Sequence, residues 1–130
     1  MVSETKETVT RFVRASLHYM ENASVMLSQQ EAAKASELLW GSIAQALQAV
    51  AISRNVRLAN HRSLRWFVSI LTKELGDRTI LDGFLQGERL HSNFHEVDLT
   101  VEDVALSVDP IRAAVSKLLE LIPPELVSGP

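Results

Sequence analysis

Apolar residues recur at spacings of three and four along almost the whole chain, and this regularity constrains the fold more than any other feature. The first stripe is Val9, Phe12, Val13, Leu17, Met20, Ala23 and Leu27, which predicts a helix over roughly residues 4–27. Ser28 followed by Glu31 has the pattern of a capping box and makes the next corner a tight one. A second helix is then expected through Ala32, Ala35, Leu38, Leu39, Ile43, Ala46, Leu47, Val50 and Ala51, where alanine favours helix and permits close approach of backbones. Periodicity weakens over 54–60, with Asn55 and Asn60 suited to a turn or a cap, and resumes at Leu64, Phe67, Val68, Leu71 and Leu75 before Gly76.

Asp77 is placed to cap a fourth helix running through Ile80, Leu81, Phe84, Leu85, Leu90 and Phe94, with Gly83 and Gly87 marking either a close crossing or a weak joint. Thr100 and Asp103 open the last helix, whose stripe of Val104, Val108, Ile111, Val115, Leu118, Leu119 and Ile122 stops at Pro123-Pro124. The stripe keeps its phase across Pro110, so one kinked helix is expected, and two helices split at Asp109 form the alternative. No segment alternates with a period of two, and nothing repeats at a fixed interval. The expected fold is all-α: one antiparallel helical-bundle domain of about five helices over residues 1–130, with the first two helices as its central pair.

Composition narrows the function classes. Thirteen basic and sixteen acidic residues give a formal charge of −3, so any contact with nucleic acid requires a local basic patch. One exists in the sequence: Arg54, Arg57, His61, Arg62 and Arg65 occur with no acid among them, whereas Glu96, Asp98, Glu102, Asp103 and Asp109 occur with no base. The absence of cysteine removes disulfides, iron–sulfur clusters and thiolate chemistry. The first residues have no apolar signal core and no stretch reaches the ~20 apolar residues of a spanning helix. A soluble, cytoplasmic protein that makes no membrane contact is expected.

Two clusters carry candidate chemistry. Arginine clamps phosphate through paired hydrogen bonds and imidazole moves protons near neutral pH, so Arg54, Arg57 and His61 together could bind or cleave a phosphodiester. The competing structural reading has the arginines solvating a helix end while His61 caps or packs. In the second cluster, RLHSNFHE, His91 and His95 lie one turn apart beside Arg89 and Glu96. Two imidazoles are only part of a metal's usual ligand set, and the glutamate of a HExxH site is missing. Hydrogen bonding across the bundle is therefore the favoured role, with substrate or partner contact as the alternative, and no metal or cofactor is expected. Trp40, followed by Gly41 and Ala44, suits a tight helix crossing; Trp40 and Trp66 are both assigned to core or dimer packing.

ASELLWGSIAQALQAVA, the SRN after it, His61 and the later RLHSNFHEVDL resemble an archaeal paralogous-repeat family of small helical proteins, placed near the higher-eukaryote and prokaryote nucleotide-binding (HEPN) superfamily. The resemblance spans most of residues 19–121. It implies a HEPN-like helical bundle that is often a homodimer. Many toxin members of the superfamily are metal-independent ribonucleases that use an arginine, a polar neighbour and a histidine a few residues on. Arg54-Asn55 and His61, with six residues between Arg54 and His61, meet that spacing. By this resemblance Arg54 would orient the scissile phosphate, Asn55 would hold the local geometry and His61 would assist proton transfer, with Arg57, Arg62, Arg65, Arg89, His91 and His95 as substrate contacts. In the ribonucleases the motif usually opens a late helix, whereas here it follows the second. The sequence thus supports a noncatalytic dimerisation and protein-interaction module, with a nucleotide- or RNA-binding protein, such as a toxin–antitoxin ribonuclease, as the alternative.

Overall fold

The structure, a computed structural model, describes residues 3–92 and 99–127. Within them the chain forms helices α1 (Glu4–Ser28), α2 (Ala32–Ser53), α3 (His61–Leu75), α4 (Thr79–Ser92) and α5 (Val101–Glu120), with a short 3-10 turn at Pro124–Leu126. No strand occurs among the described residues. The helical periodicity is therefore realised as an all-α bundle.

Helix α2 is the centre. It buries Leu39, Ile43, Leu47 and Val50 together with Ala35, Ala46, Ala49 and Ala51, because α1, α4 and α5 all pack on it. Its small residues let neighbours approach: a Cβ added at Gly41 would lie 3.0 Å from the Tyr19 ring of α1. Deeper in the same interface, Ser16 and Ser42 are fully buried and exchange hydrogen bonds. Each hydroxyl donates to the other's backbone carbonyl, at 2.7 and 2.8 Å. Two buried polar groups are thereby satisfied without water.

Several corners follow the sequence signals. Asn60 caps α3 in a capping box with Ser63, and Thr100 does the same for α5 with Asp103. Gly76 ends α3 in the left-handed conformation, and Asp77 accepts the Thr79 N–H at the start of α4. The α1–α2 corner is built differently from the expected capping box. Ser28 is the last residue of α1 and its hydroxyl donates to the Val25 carbonyl, while Glu31 precedes α2 without a side-chain cap. Gln30, at φ 62°, turns the chain instead, and the Gln30 and Glu31 N–H groups bond back to Leu27 and Met26. Helix α5 runs unbroken through Pro110, which settles the choice between one helix and two. The fourth helix is described over Thr79–Ser92, and Phe94 lies outside the described residues.

The glycines of α4 mark close crossings. A Cβ at Gly83 would fall 2.3 Å from the Ala114 Cβ and 2.6 Å from the Pro110 carbonyl oxygen of α5, and one at Gly87 would lie 3.1 Å from the indole of Trp40. Glycine is therefore the only residue that fits at position 83 without movement of α5.

The connection from α2 to α3 departs from the up-and-down order. Trp40, in the first half of α2, meets His61 at the start of α3, and Arg54, at the end of α2, meets Glu74 at the end of α3. The two helices thus run in the same direction. Residues 54–60 return along α2, with Leu58 buried and its carbonyl accepting from the Gln48 amide at 3.0 Å. Seven extended residues span at most about 25 Å, enough to retrace most of α2's length from Trp40 to Ser53.

Candidate functional site

The returning linker brings residues from three helices to one end of the bundle. Trp40 of α2 lies half-buried against Gly87 and Phe84 of α4, the ring centroids of Trp40 and Phe84 being 5.6 Å apart. On this indole stack His61, the first residue of α3, and His91, in the last turn of α4, with centroid separations of 5.0 and 5.1 Å and interplanar angles of 14° and 19°. The two imidazole centroids are 6.2 Å apart. Rings on opposite faces would be at least about 7 Å apart, twice the van der Waals spacing, so both occupy the same face, edge to edge.

A carboxylate anchors each imidazole. His61 Nε2 is 2.5 Å from Glu88 Oε2, an atom that also accepts from Arg65 Nε at 2.7 Å. His91 Nδ1 is 3.0 Å from Glu37 Oε2. The Glu88 side chain is only 12% exposed, whereas those of His61 and His91 are 42% and 43% exposed. In a neutral imidazole, a ring nitrogen that donates to a carboxylate fixes the tautomer and leaves the other nitrogen as the acceptor. For His61 that nitrogen is Nδ1, and for His91 it is Nε2.

The basic run read in the sequence does not form one patch. Arg54 donates through both guanidinium branches to Glu74, at 2.9 and 2.8 Å. Glu74 lies about 20 Å along α3 from His61. Asn55, at φ 60°, supplies the left-handed residue that closes α2: its N–H bonds to the Ile52 carbonyl and that of Val56 to Ala51. Asparagine tolerates this conformation better than most residues, which accounts for Asn55 without chemistry. Arg57 lines an open groove of about 380 Å³ between the start of α1 and the end of α2, near Glu4 and Phe12. Only His61, Arg62 and Arg65 lie at the Trp40 end. Arg57 and Arg62 have no hydrogen bond or ion pair among the described residues.

Of the remaining candidates, Arg89 bonds to the Ser107 hydroxyl at 2.7 Å and to Gln86, a polar tie between α4 and α5. His91 belongs to the Trp40 cluster, and His95 lies outside the described residues. Glu37 and Glu88 were not legible as site residues, since their partners are 54 and 27 positions away in the chain. Trp40 had a packing signal but none for imidazole stacking.

The Arg54–Glu74 pair and a second, Lys117–Asp77, tie the opposite end. The Arg54 guanidinium holds the Glu74 carboxyl below the ordinary carboxylate range, and Lys117, with the Thr79 N–H, does the same for Asp77. A carboxylate that ionises more readily when folded stabilises the fold above its unfolded pKa and loses that contribution as the pH falls through its folded value. The urea midpoint is therefore expected to fall between about pH 5 and pH 3, with a shallower fall in Glu74→Gln and Asp77→Asn. An unchanged slope in both variants would remove these pairs as its cause.

Among the described residues no helix is long and apolar enough to cross a membrane. A sequence model of the archaeal PaREP1/PaREP8 family matches residues 11–115. Comparison with curated proteins and with solved structures gave no match.

Proposed function

The chain belongs to the archaeal PaREP1/PaREP8 family, and on that footing we propose that it is a noncatalytic helical module of the cytoplasm that pairs with a second copy of itself and engages a protein partner. The observation that carries this reading is the exposure of large apolar side chains on α3 and α4. Trp66 is 52% exposed, with Ile70 one turn further on α3, and Leu85 of α4 is 46% exposed at a separate groove of about 310 Å³ lined by Arg65, Val68, Ser69, Leu81, Phe84 and Glu88. Tryptophan is a frequent anchor of protein interfaces, and three large apolar side chains on adjacent helices gain from being covered. The separation of Arg54 from His61 and the turn-forming role of Asn55 also favour a noncatalytic module.

The second reading is a HEPN-like nucleotide- or RNA-binding protein, such as a metal-independent ribonuclease of a toxin–antitoxin pair. It draws on the unpaired Arg62 beside the exposed imidazole of His61. Sedimentation and RNA cleavage by the pure chain discriminate between the two. The wild type is expected to sediment at twice the chain mass and Trp66→Glu as a folded monomer, with RNA left intact by both. A wild type that stays monomeric at high concentration would defeat the self-association. Metal-independent cleavage lost in folded His61→Ala would transfer the assignment to the second reading.

A further inference from the structure

We propose that a second copy of the chain docks on the outer face of α3 in the reversed sense, so that the row Arg62, Trp66, Ile70 and Glu74 lies antiparallel beside the same row of its partner. This inference rests on the self-association proposed above and specifies which groups meet in it. Helix α3 packs mainly on α4 and α2, so the side turned away from them has no neighbour within the bundle.

Residues four apart are neighbours on a helix surface and form a continuous row. Here the row reads cation, aromatic, aliphatic, anion, and all of its members are exposed, Trp66 at 52% and Ile70 at 37%. Arg62 has no hydrogen bond or ion pair among the described residues. Glu74 is held from one side by Arg54 and still leaves its side chain 44% exposed. Read backwards, the row complements itself. Trp66 falls opposite the partner's Ile70, and Arg62 falls opposite the partner's Glu74. A two-fold axis midway between Trp66 and Ile70 makes each of these contacts occur twice, as a closed pair of identical chains requires.

Charge selects the reversed sense over the parallel one. With the two rows running the same way, Arg62 would face the partner's Arg62 and Glu74 the partner's Glu74, which is repulsive at both ends. Reversal turns these into opposite charges at the rim of an apolar centre, where the tryptophan is the anchor. The packing geometry agrees, because aligning the four-apart rows of two helices sets their axes about 50° apart, the commonest helix crossing. Lys73 belongs to the neighbouring row with Arg65 and Ser69, to the side of this contact.

The chain has no cysteine, so introduced thiols report on the contact without background. Positions 62 and 74 are about 18 Å apart along α3, too far for a disulfide within one chain. Mild oxidation of Arg62→Cys/Glu74→Cys is therefore expected to give a covalent dimer, while Arg62→Cys alone stays monomeric on a denaturing gel. In sedimentation, Arg62→Glu and Glu74→Arg should each weaken association about tenfold, and combining them should recover it. Arg112→Glu, an equal change of charge at an exposed position of α5, should leave association unchanged. Glu74→Arg also deprives Arg54 of its partner, so recovery in the combined variant separates loss of the contact from loss of stability. A wild type that stays monomeric at high concentration would defeat the self-association and this inference with it. A dimeric wild type whose Arg62→Cys variant cross-links to itself, or whose Arg62→Cys/Glu74→Cys variant gives no covalent dimer, would overturn the reversed row and leave the self-association standing.

Discussion

Gly83→Ala is expected to destabilise the bundle by about 2–3 kcal/mol, lowering the melting temperature by roughly 8–12 °C. The sign is informative, because alanine in place of a helical glycine gains ~1 kcal/mol where there is room. Here there is none: the new methyl would lie 2.3 Å from the Ala114 Cβ and 2.6 Å from the Pro110 carbonyl oxygen, and a backbone atom cannot swing aside. The α4–α5 crossing must open. Gly87→Ala provides the graded comparison, since its added carbon would meet only the side chains of Trp40 and Ile43, at 3.1 and 3.2 Å, and a smaller loss is expected. Thermal melts of the two variants read the difference directly. A gain in stability for Gly83→Ala would mean that α5 packs farther from α4 than the structure places it.

Trp40→Ala is expected to cost about 3–4 kcal/mol, in the lower half of the range for removing a large aromatic group, whereas Trp66→Ala should cost less than about 1 kcal/mol in the isolated chain. Both residues are tryptophans on helices, and their surroundings make the difference. The Trp40 indole supports the imidazoles of His61 and His91 and packs on Phe84, so α2, α3 and α4 meet on one ring. The Trp66 ring has one aromatic neighbour, Phe67 at 6.2 Å, and half of its surface faces water. Urea unfolding at low protein concentration isolates the intrachain effect from association. Equal losses in the two variants would contradict this division of labour.

Much of the helical order was legible because its causes are local. A stripe at spacings of three and four needs only its own residues, and so do Asn60 with Ser63, Thr100 with Asp103, and Gly76 before Asp77. The corner after α1 was misread for the same reason. Ser28 and Glu31 have capping-box spacing, but the Ser28 hydroxyl has a nearer acceptor in its own helix, the Val25 carbonyl. The candidate site was less legible. His61 and His91 were singled out, yet the indole they share and the carboxylates that orient them come from distant parts of the chain. Arg54 and Asn55 fell within a suggestive spacing, and their places at the close of α2 are explained by Glu74 and by a left-handed turn.

The sequence by itself determined the fold class and most helix ends, because periodicity, caps and left-handed turns act over a few residues. Only the tertiary structure decided which charges share a surface. The linker over 54–60 turns back along α2, anchored by buried Leu58 and the Gln48 amide, and thereby divides one run of basic residues between two ends of the bundle. The same reversal sets α3 parallel to α2 and brings His61 beside Trp40. The physical reason is that burying Leu58 and the apolar face of α3 fixes where the chain goes, and the charged side chains then pair with whatever that path brings near.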